Sequence, residues 1–443
     1  MSNAHLVIEQ SWNLSGEVEL VGAKNAVLVI MASLILTRGK SVLRNVPASS
    51  DVEQMILVLE ELGAQVVFVR KEHRLEIDTS LISKYKVSAE VMRKMRASIL
   101  VMGPLLARFG KADIALPGGC VIGSRPVDYH IRNFEQMGVH VETHGDYLNA
   151  VAPTLQSTTL ILDYPSVGAT ENIMMAATLT PGVTRIINAA LEPEVMDCIA
   201  VLRKMGAQIE IQPPATIEIT GVSALQPIDH AIIYDRLETG ALLLAAAITG
   251  GTISLPQAPA YTMEIVIKKL RDMGHSVIVG ENGVGVTLKA TKNPRAVSFK
   301  TGPYPSFPTD LQAPMMAAQC IANGTSLIEE TVFENRLLHV RELQKMGAQI
   351  TVEHNKATVM GVEELYGGPI IATDIRSSCA LVLAGLVAKG TTHMTGIHHW
   401  QRGYDMLERK LAHLGARISL KEFEPARVEF DEALDKKWRE IQS

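Results

Sequence analysis

Aromatic residues are scarce: eight Phe, nine Tyr and three Trp make up 5% of 443 residues. The core must therefore be built from Ala, Val, Ile, Leu and the 19 Met. Cysteine is scarcer still. Cys120, Cys198, Cys320 and Cys379 stand far apart, with no Cys-x-x-Cys pair and no metal-ligand spacing. That excludes a disulfide-stapled scaffold and points to a reducing, cytoplasmic setting. Basic residues are not in excess. A formal net charge of −5 excludes a nucleic-acid binder that relies on a global basic field, and an anionic small ligand would need cations gathered in one cleft. Long apolar runs are missing as well. The longest uncharged stretch, Thr239 to Met263, is broken by Gly250, Gly251, Pro256 and Pro259, short of a membrane-spanning helix. The first twenty residues carry His5 and Glu9 and no apolar core segment, so no signal peptide is expected and the protein is expected to be soluble. No Walker A motif and no G-x-G-x-x-G after a strand occurs, which disfavours ATP and dinucleotide cofactors.

What is present is a compact globular composition, 47% hydrophobic and 20% charged, of a length that predicts two to four domains. It also contains a repeat. Leu59-Glu-Glu-Leu-Gly63, Phe134-Glu-Gln-Met-Gly138, Leu202-Arg-Lys-Met-Gly206, Leu270-Arg-Asp-Met-Gly274, Leu343-Gln-Lys-Met-Gly347 and Leu411-Ala-His-Leu-Gly415 each end a helix at a glycine and run into an alternating strand. A second element precedes each: an Ala/Leu/Met-rich helix, a turn at Gly39, Gly110, Gly182, Gly250, Gly324 or Gly390, and a short strand. Six β/α units of two helices and about four strands follow, with the apolar helices inside. The N-terminal stretch Leu6–Gly22 looks like the strand complement that the last unit lacks. This favours two three-unit globules, residues 23–233 and residues 1–22 with 234–443, joined by crossings near 22 and 233. In the tail, Phe430, Leu434, Trp438 and Ile441 fall on one face of an expected extra C-terminal helix.

Chemistry is sought where the repeat is interrupted. The loop Leu116-Pro-Gly-Gly-Cys-Val-Ile-Gly-Ser-Arg-Pro-Val-Asp surrounds one thiol with glycines that permit close backbone approach. Cys198, Cys320 and Cys379, inside apolar helices, read as buried structural thiols. Lys24 and Asn25 open the first helix, where an anion is favoured. Asp310 follows two prolines at a helix start and reads equally as a cap. Arg96, Arg376 and Arg402, each alone, read as surface or salt-bridge residues. His398 and His399 are adjacent and point in different directions, so no metal is expected.

Together the segments are far more specific. Gly22-Ala-Lys-Asn-Ala, Met95-Arg-Ala-Ser, the Cys120 loop, Ser166-Val-Gly-Ala-Thr-Glu-Asn, Phe307-Pro-Thr-Asp, Phe333-Glu-Asn-Arg, Ala372-Thr-Asp-Ile-Arg and Arg402-Gly-Tyr, in this order on a sixfold repeat, resemble the UDP-N-acetylglucosamine branch of the enolpyruvyl transferases over about residues 5–420. The resemblance implies six β/α units in two inside-out α/β barrel-like domains around a cleft. It further implies transfer of the enolpyruvyl group of phosphoenolpyruvate to the 3′-hydroxyl of UDP-N-acetylglucosamine with release of phosphate. This is the first committed step of peptidoglycan precursor synthesis in the bacterial cytoplasm, without a cofactor.

By motif, the resemblance makes Cys120 the proton donor to the methylene carbon and the site of covalent adducts, fosfomycin included. Asp310 becomes a candidate general base. Lys24, Arg125 and Arg402 match phosphate-handling positions, Asn25 accompanies Lys24, and Arg376 matches a position near the carboxylate. Arg96, Arg125, Pro126, Val127, Asp128, Tyr129, Pro165, Ser166, Val167, Gly168, Asp310 and Val332 match contacts to the UDP-sugar. Tyr164 and Pro165 depart from the pattern, standing where some members have Lys and an aliphatic residue. Transfer to shikimate 3-phosphate is the nearest alternative, and a repeat-built module without catalysis the more distant one. The oligomeric state is not legible in the sequence.

Overall fold

The computed structural model describes residues 4–93, 95–115 and 127–422, and of Arg96 the backbone. The Cys120 loop, with Arg125 and Pro126, and the expected tail helix lie outside the described residues.

Hydrophobic side chains gather into two cores. One is built between Ala23 and Ile232, the other from Leu6–Leu20 together with Leu237–Ile418. At the heart of the first are the helices Lys24–Ser33, Met102–Phe109 and Val167–Ala177. In the second, Arg236–Thr249, Gln312–Gln319 and Ile375–Val387 pack on one another. These helices have almost no polar stripe, and the structure buries them on nearly every side, as a helix apolar all round requires. The repeat glycines end their helices or turns with positive φ, from 65° at Gly110 to 141° at Gly39.

Among the described residues the sheets are six separate small ones, set outside the helices, and none closes into a barrel. Each full sheet has four strands in one pattern. In the first, Asp229–Ala231 runs parallel to Lys40–Arg44, which pairs antiparallel with Arg74–Asp78, itself the return strand of the hairpin begun by Gln65–Val69. Two expectations need correction. The second unit has three named strands, Lys111–Ala115, His140–His144 and Tyr147–Val151, with the parallel position reduced to a single bridge between Lys86 and Asp113. The N-terminal stretch does not go whole to the last unit. Ala4–Glu9 lies between Thr391–Thr395 and Arg417–Glu422, in the place of a return strand. Ser15–Glu17 instead pairs parallel with Thr252–Pro259 in the fourth unit. Thr252 N donates to Leu14 O at 2.8 Å, so the chain between the two strands is anchored at Leu14 and cannot follow the last sheet further.

The chain passes between the cores twice, side by side. Ala23 N donates to Ile233 O at 2.7 Å and Asp235 N to Val21 O at 3.0 Å. Asp235 then caps the helix Arg236–Thr249, accepting from Leu237 N at 2.7 Å, and its other oxygen accepts from Lys24 N at 3.4 Å. One carboxylate thus serves the starts of two core helices, one in each half.

Candidate active site

In the two groups of charges that form the site, Lys24, Asp51 and Arg376 sit at helix starts and Asp310 in the turn before one, whereas Arg402 is in the last turn of the helix Ile397–Gly403 and Arg336 in a turn. Lys24, the first residue of its helix, is buried and donates from Nζ to Asp51 Oδ2 at 3.1 Å. Asp51 lies in the first turn of the helix Ser50–Leu62, where an acidic side chain is favoured. Its other oxygen accepts from Arg402 Nε, 2.9 Å away on the opposite half. Burial alone would raise the Asp51 pKa, but Lys24 and Arg402 outweigh it and hold the carboxyl below its usual range.

In the second group, Asp310 stands in the turn Thr309–Leu311. Gly240 makes room for that turn: a Cβ there would come within 2.5 Å of Leu311 Cδ1. Asp310 is not spent as a helix cap. Oδ1 accepts from Arg336 Nη2 at 2.6 Å and Oδ2 from Arg376 Nη2 at 2.9 Å. Burial opposes ionisation, yet Arg376 and Arg336, with Lys24 as a further cation, hold this carboxyl far below the ordinary range. Arg376 is placed by a capping box, in which Asp374 accepts from Arg376 N at 2.8 Å and Ser377 N at 3.0 Å. Its Nη1 reaches Tyr404 Oη at 3.2 Å.

Around these groups, Val332 N and Phe333 N donate to Glu330 Oε1, and Thr309 Oγ1 donates to Glu330 Oε2 at 2.9 Å, which ties the Val332 turn to the Asp310 turn. Asp128 and Tyr129 begin the helix Asp128–Gln136, preceded by a half-buried Val127. Ser166 caps Val167–Ala177, and Gly168 rests against the His130 ring, so the 127–129 and 165–168 segments are neighbours. Tyr164 is pushed up to about 12 by burial, with Glu192 and Glu330 adding to it, and brings no positive charge. Asn25 is half-buried beside Lys24. A cavity of about 290 Å³ opens next to the Asp310 turn, lined by Arg236, Tyr304, Ser306, Pro308 and Leu311 among others. Cys198, Cys320 and Cys379 are buried, and burial pushes their thiols up, to about 12 for Cys320 and about 11 for Cys379. Among the described residues no cluster of three or more His, Cys, Asp or Glu has metal-holding geometry.

The structure therefore brings Lys24, Asp310, Arg376 and Arg402 together and supplies partners that reading the sequence missed. Asp51 reads as an ordinary first-turn acid. Arg336 ends the Phe333-Glu-Asn-Arg motif, but nothing local assigns it to Asp310. Arg236, whose Nε and Nη2 meet both oxygens of Glu194 at 3.0 and 3.1 Å, also spans the halves. Tyr304 N, donating to Glu192 at 3.3 Å, does the same.

Beneath the crossings, Glu238 Oε2 accepts from Val21 N at 3.2 Å and Oε1 from Lys410 Nζ at 2.7 Å. Burial drives this carboxyl up from 4.5 to about 7 although Lys410 opposes it, with Asp235 as the neighbouring acid. A raised folded-state pKa stabilises the fold fully below pH 4.5 and loses that contribution as pH rises through about 7. Denaturant unfolding of Glu238→Gln is therefore expected to vary less steeply with pH over that window than the wild type. Parallel curves would contradict the assignment.

The chain matches the family model described as EPSP synthase (3-phosphoshikimate 1-carboxyvinyltransferase) over residues 8–411. It is 47% identical over 405 residues to a UDP-N-acetylglucosamine 1-carboxyvinyltransferase of Dichelobacter nodosus, covering 91% of this chain and 96% of that one. A protein of the same name from Thermodesulfovibrio yellowstonii is 47% identical over 406 residues, with the same coverage. The solved structure of the enolpyruvyl transferase NikO from Streptomyces tendae superposes with a TM-score of 0.85 at 25% identity, covering 95% of this chain and 99% of that one. EPSP synthase from Acinetobacter baumannii shares the fold, with a TM-score of 0.73 at 16% identity over 94% of this chain and 99% of its own. With a family model spanning most of its length and relatives nearly half identical along almost all of it, the chain belongs to the 1-carboxyvinyltransferase enzymes, in the branch named for UDP-N-acetylglucosamine.

Proposed function

We propose that the protein transfers the enolpyruvyl group of phosphoenolpyruvate to the 3′-hydroxyl of UDP-N-acetylglucosamine and releases phosphate, opening peptidoglycan precursor synthesis. The observation that carries this reading is the meeting of two cation groups about two carboxylates, Lys24–Asp51–Arg402 and Arg336–Asp310–Arg376, at the junction of the halves. A donor with a phosphate at one end and a carboxylate at the other needs such a pair of anion seats, and charge-assisted contacts are the strong ones. In this reading 23–233 and 1–22 with 234–443 are the two domains. Lys24, Arg402 and Arg125 take the phosphate, with Asn25 beside it, and Arg376 takes the carboxylate. Arg96, Pro126, Val127, Asp128, Tyr129, Pro165, Ser166, Val167, Gly168 and Val332 line the UDP-sugar side.

The chemistry balances as addition followed by elimination. Cys120 gives a proton to the methylene carbon, which leaves the carbon bearing the phosphate electron-poor. The acceptor oxygen bonds there while Asp310 receives the hydroxyl proton. The Cys120 thiolate takes a proton back from the new methyl group, phosphate leaves with the carbon–oxygen bonding pair, which restores the double bond, and Asp310 gives up the hydroxyl proton to solvent. Asp310 as it stands, with both oxygens on guanidiniums, is a weak base. A donor carboxylate that draws on Arg376 removes one of those partners and raises its basicity.

Purified protein is expected to release phosphate from phosphoenolpyruvate only when UDP-N-acetylglucosamine is also present. Release with shikimate 3-phosphate instead, or with neither acceptor, would overturn the proposal.

A further inference from the structure

Four consecutive residues, Arg402 to Asp405, reach both groups of charges: two of them contact the start of the helix that carries Arg376, and two contact the Ala48–Asp51 stretch of the other half. Arg402 Nε donates to Asp51 Oδ1 at 2.9 Å. Gly403 presses on the residue before Arg376: a Cβ there would stand 2.3 Å from Ile375 Cγ2, which has no room to retreat on a β-branched side chain. Tyr404, 5% exposed, meets Arg376 Nη1 at 3.2 Å, with the guanidinium 5.6 Å from its ring centre. Asp405 Oδ2 accepts from Ala48 N, across the junction, at 2.9 Å.

Tyr404 is itself held on two sides. Its ring lies 5.0 Å from that of Trp400, and the buried Cys379 thiol neighbours its hydroxyl. A guanidinium can only donate, so the tyrosine oxygen accepts from Arg376. The guanidinium of Arg376 is thus fixed between Asp310 and Tyr404.

We propose that Tyr404 is a positioning residue that aims Arg376 at the donor carboxylate and ties it to Arg402, so that of the arginines at the two anionic ends of one small donor, one is carried by the segment 402–405 and the other is held by it. This rests on the donor site described above. A small dianionic ligand gains from cations set beforehand at the right spacing, because little freedom is left to lose on binding. The remote packing of Tyr404 supplies that spacing without touching the ligand.

Tyr404→Phe keeps the ring and removes the acceptor. Because a hydrogen bond to a charged group is lost, KM for phosphoenolpyruvate is expected to rise about tenfold. KM for UDP-N-acetylglucosamine should stay within about twofold, and so should competitive inhibition by inorganic phosphate, which engages Lys24 and Arg402 but has no carboxylate. A general loosening would instead weaken phosphate and phosphoenolpyruvate together, and that result, like an unchanged KM, overturns the proposal. Should Tyr404→Phe fail to fold, Cys379→Ala is the second variant, since it removes the buried thiol packed beside the hydroxyl and gives it room to turn. It is then expected to raise KM for phosphoenolpyruvate about threefold with phosphate inhibition unaltered, and no change overturns the proposal. A wild type that turns over normally beside an unaltered variant defeats this inference alone. A wild type inactive with both substrates defeats the reading beneath it.

Discussion

Asp310→Ala is expected to lower kcat by about three orders of magnitude, the usual size of a lost general base, and to destabilise the fold as well. The second effect follows from what Asp310 holds. The side chains of Arg336 and Arg376 are only 3% and 5% exposed, and both rely on it for counter-charge. Removing one partner of a buried ion pair costs several kcal/mol; Asp310 keeps some solvent access, so about 2–3 kcal/mol is the appropriate expectation here. Asp310→Asn separates the two roles. It keeps an acceptor for one guanidinium and most of the shape, so its melting temperature should fall less than that of the alanine variant while kcat falls nearly as far. An asparagine variant retaining more than about a tenth of kcat would remove Asp310 from proton transfer and leave it as a holder of arginines.

Fosfomycin is expected to inactivate the wild type with time and to leave one covalent adduct on Cys120, whereas Cys120→Asp should retain turnover and escape inactivation entirely. The selectivity has a physical basis in the other three thiols. Cys198, Cys320 and Cys379 are buried, and burial pushes all three well up, so they remain protonated and poor nucleophiles at neutral pH. A thiolate can open the epoxide, and a carboxylic acid in its place can still pass a proton to carbon. Peptide mass mapping settles the position. An adduct on another cysteine, or equal inactivation of both proteins, would defeat the expectation.

Much of this architecture was legible because the rules that encode it are local. A helix closing at Gly63 or Gly415 shows in five residues. The ion pairs obey no such rule. Lys24 finds Asp51 at 27 positions' distance, Asp310 finds Arg336 at 26 and Arg376 at 66, and Arg402 reaches Asp51 across 351. Nothing in the residues near Asp51 distinguishes an acid that steadies a helix start from one that joins two cations across a junction. The motif Arg402-Gly-Tyr gave the arginine a role by resemblance, yet its tyrosine gained one only when Arg376 was seen beside it. The split of the N-terminal stretch between two sheets was hidden for a related reason. Ser15–Glu17 is three residues long with no buried side chain, and so has no periodicity to read.

The placement of Ala4–Glu9 between Thr391–Thr395 and Arg417–Glu422 bears on how the protein is made. A ribosome releases the first strand long before either of its neighbours exists. The half built between Ala23 and Ile232 can assemble while translation continues. The other half must leave one sheet open until Arg417–Glu422 emerges, with Ala4–Glu9 waiting to fill it.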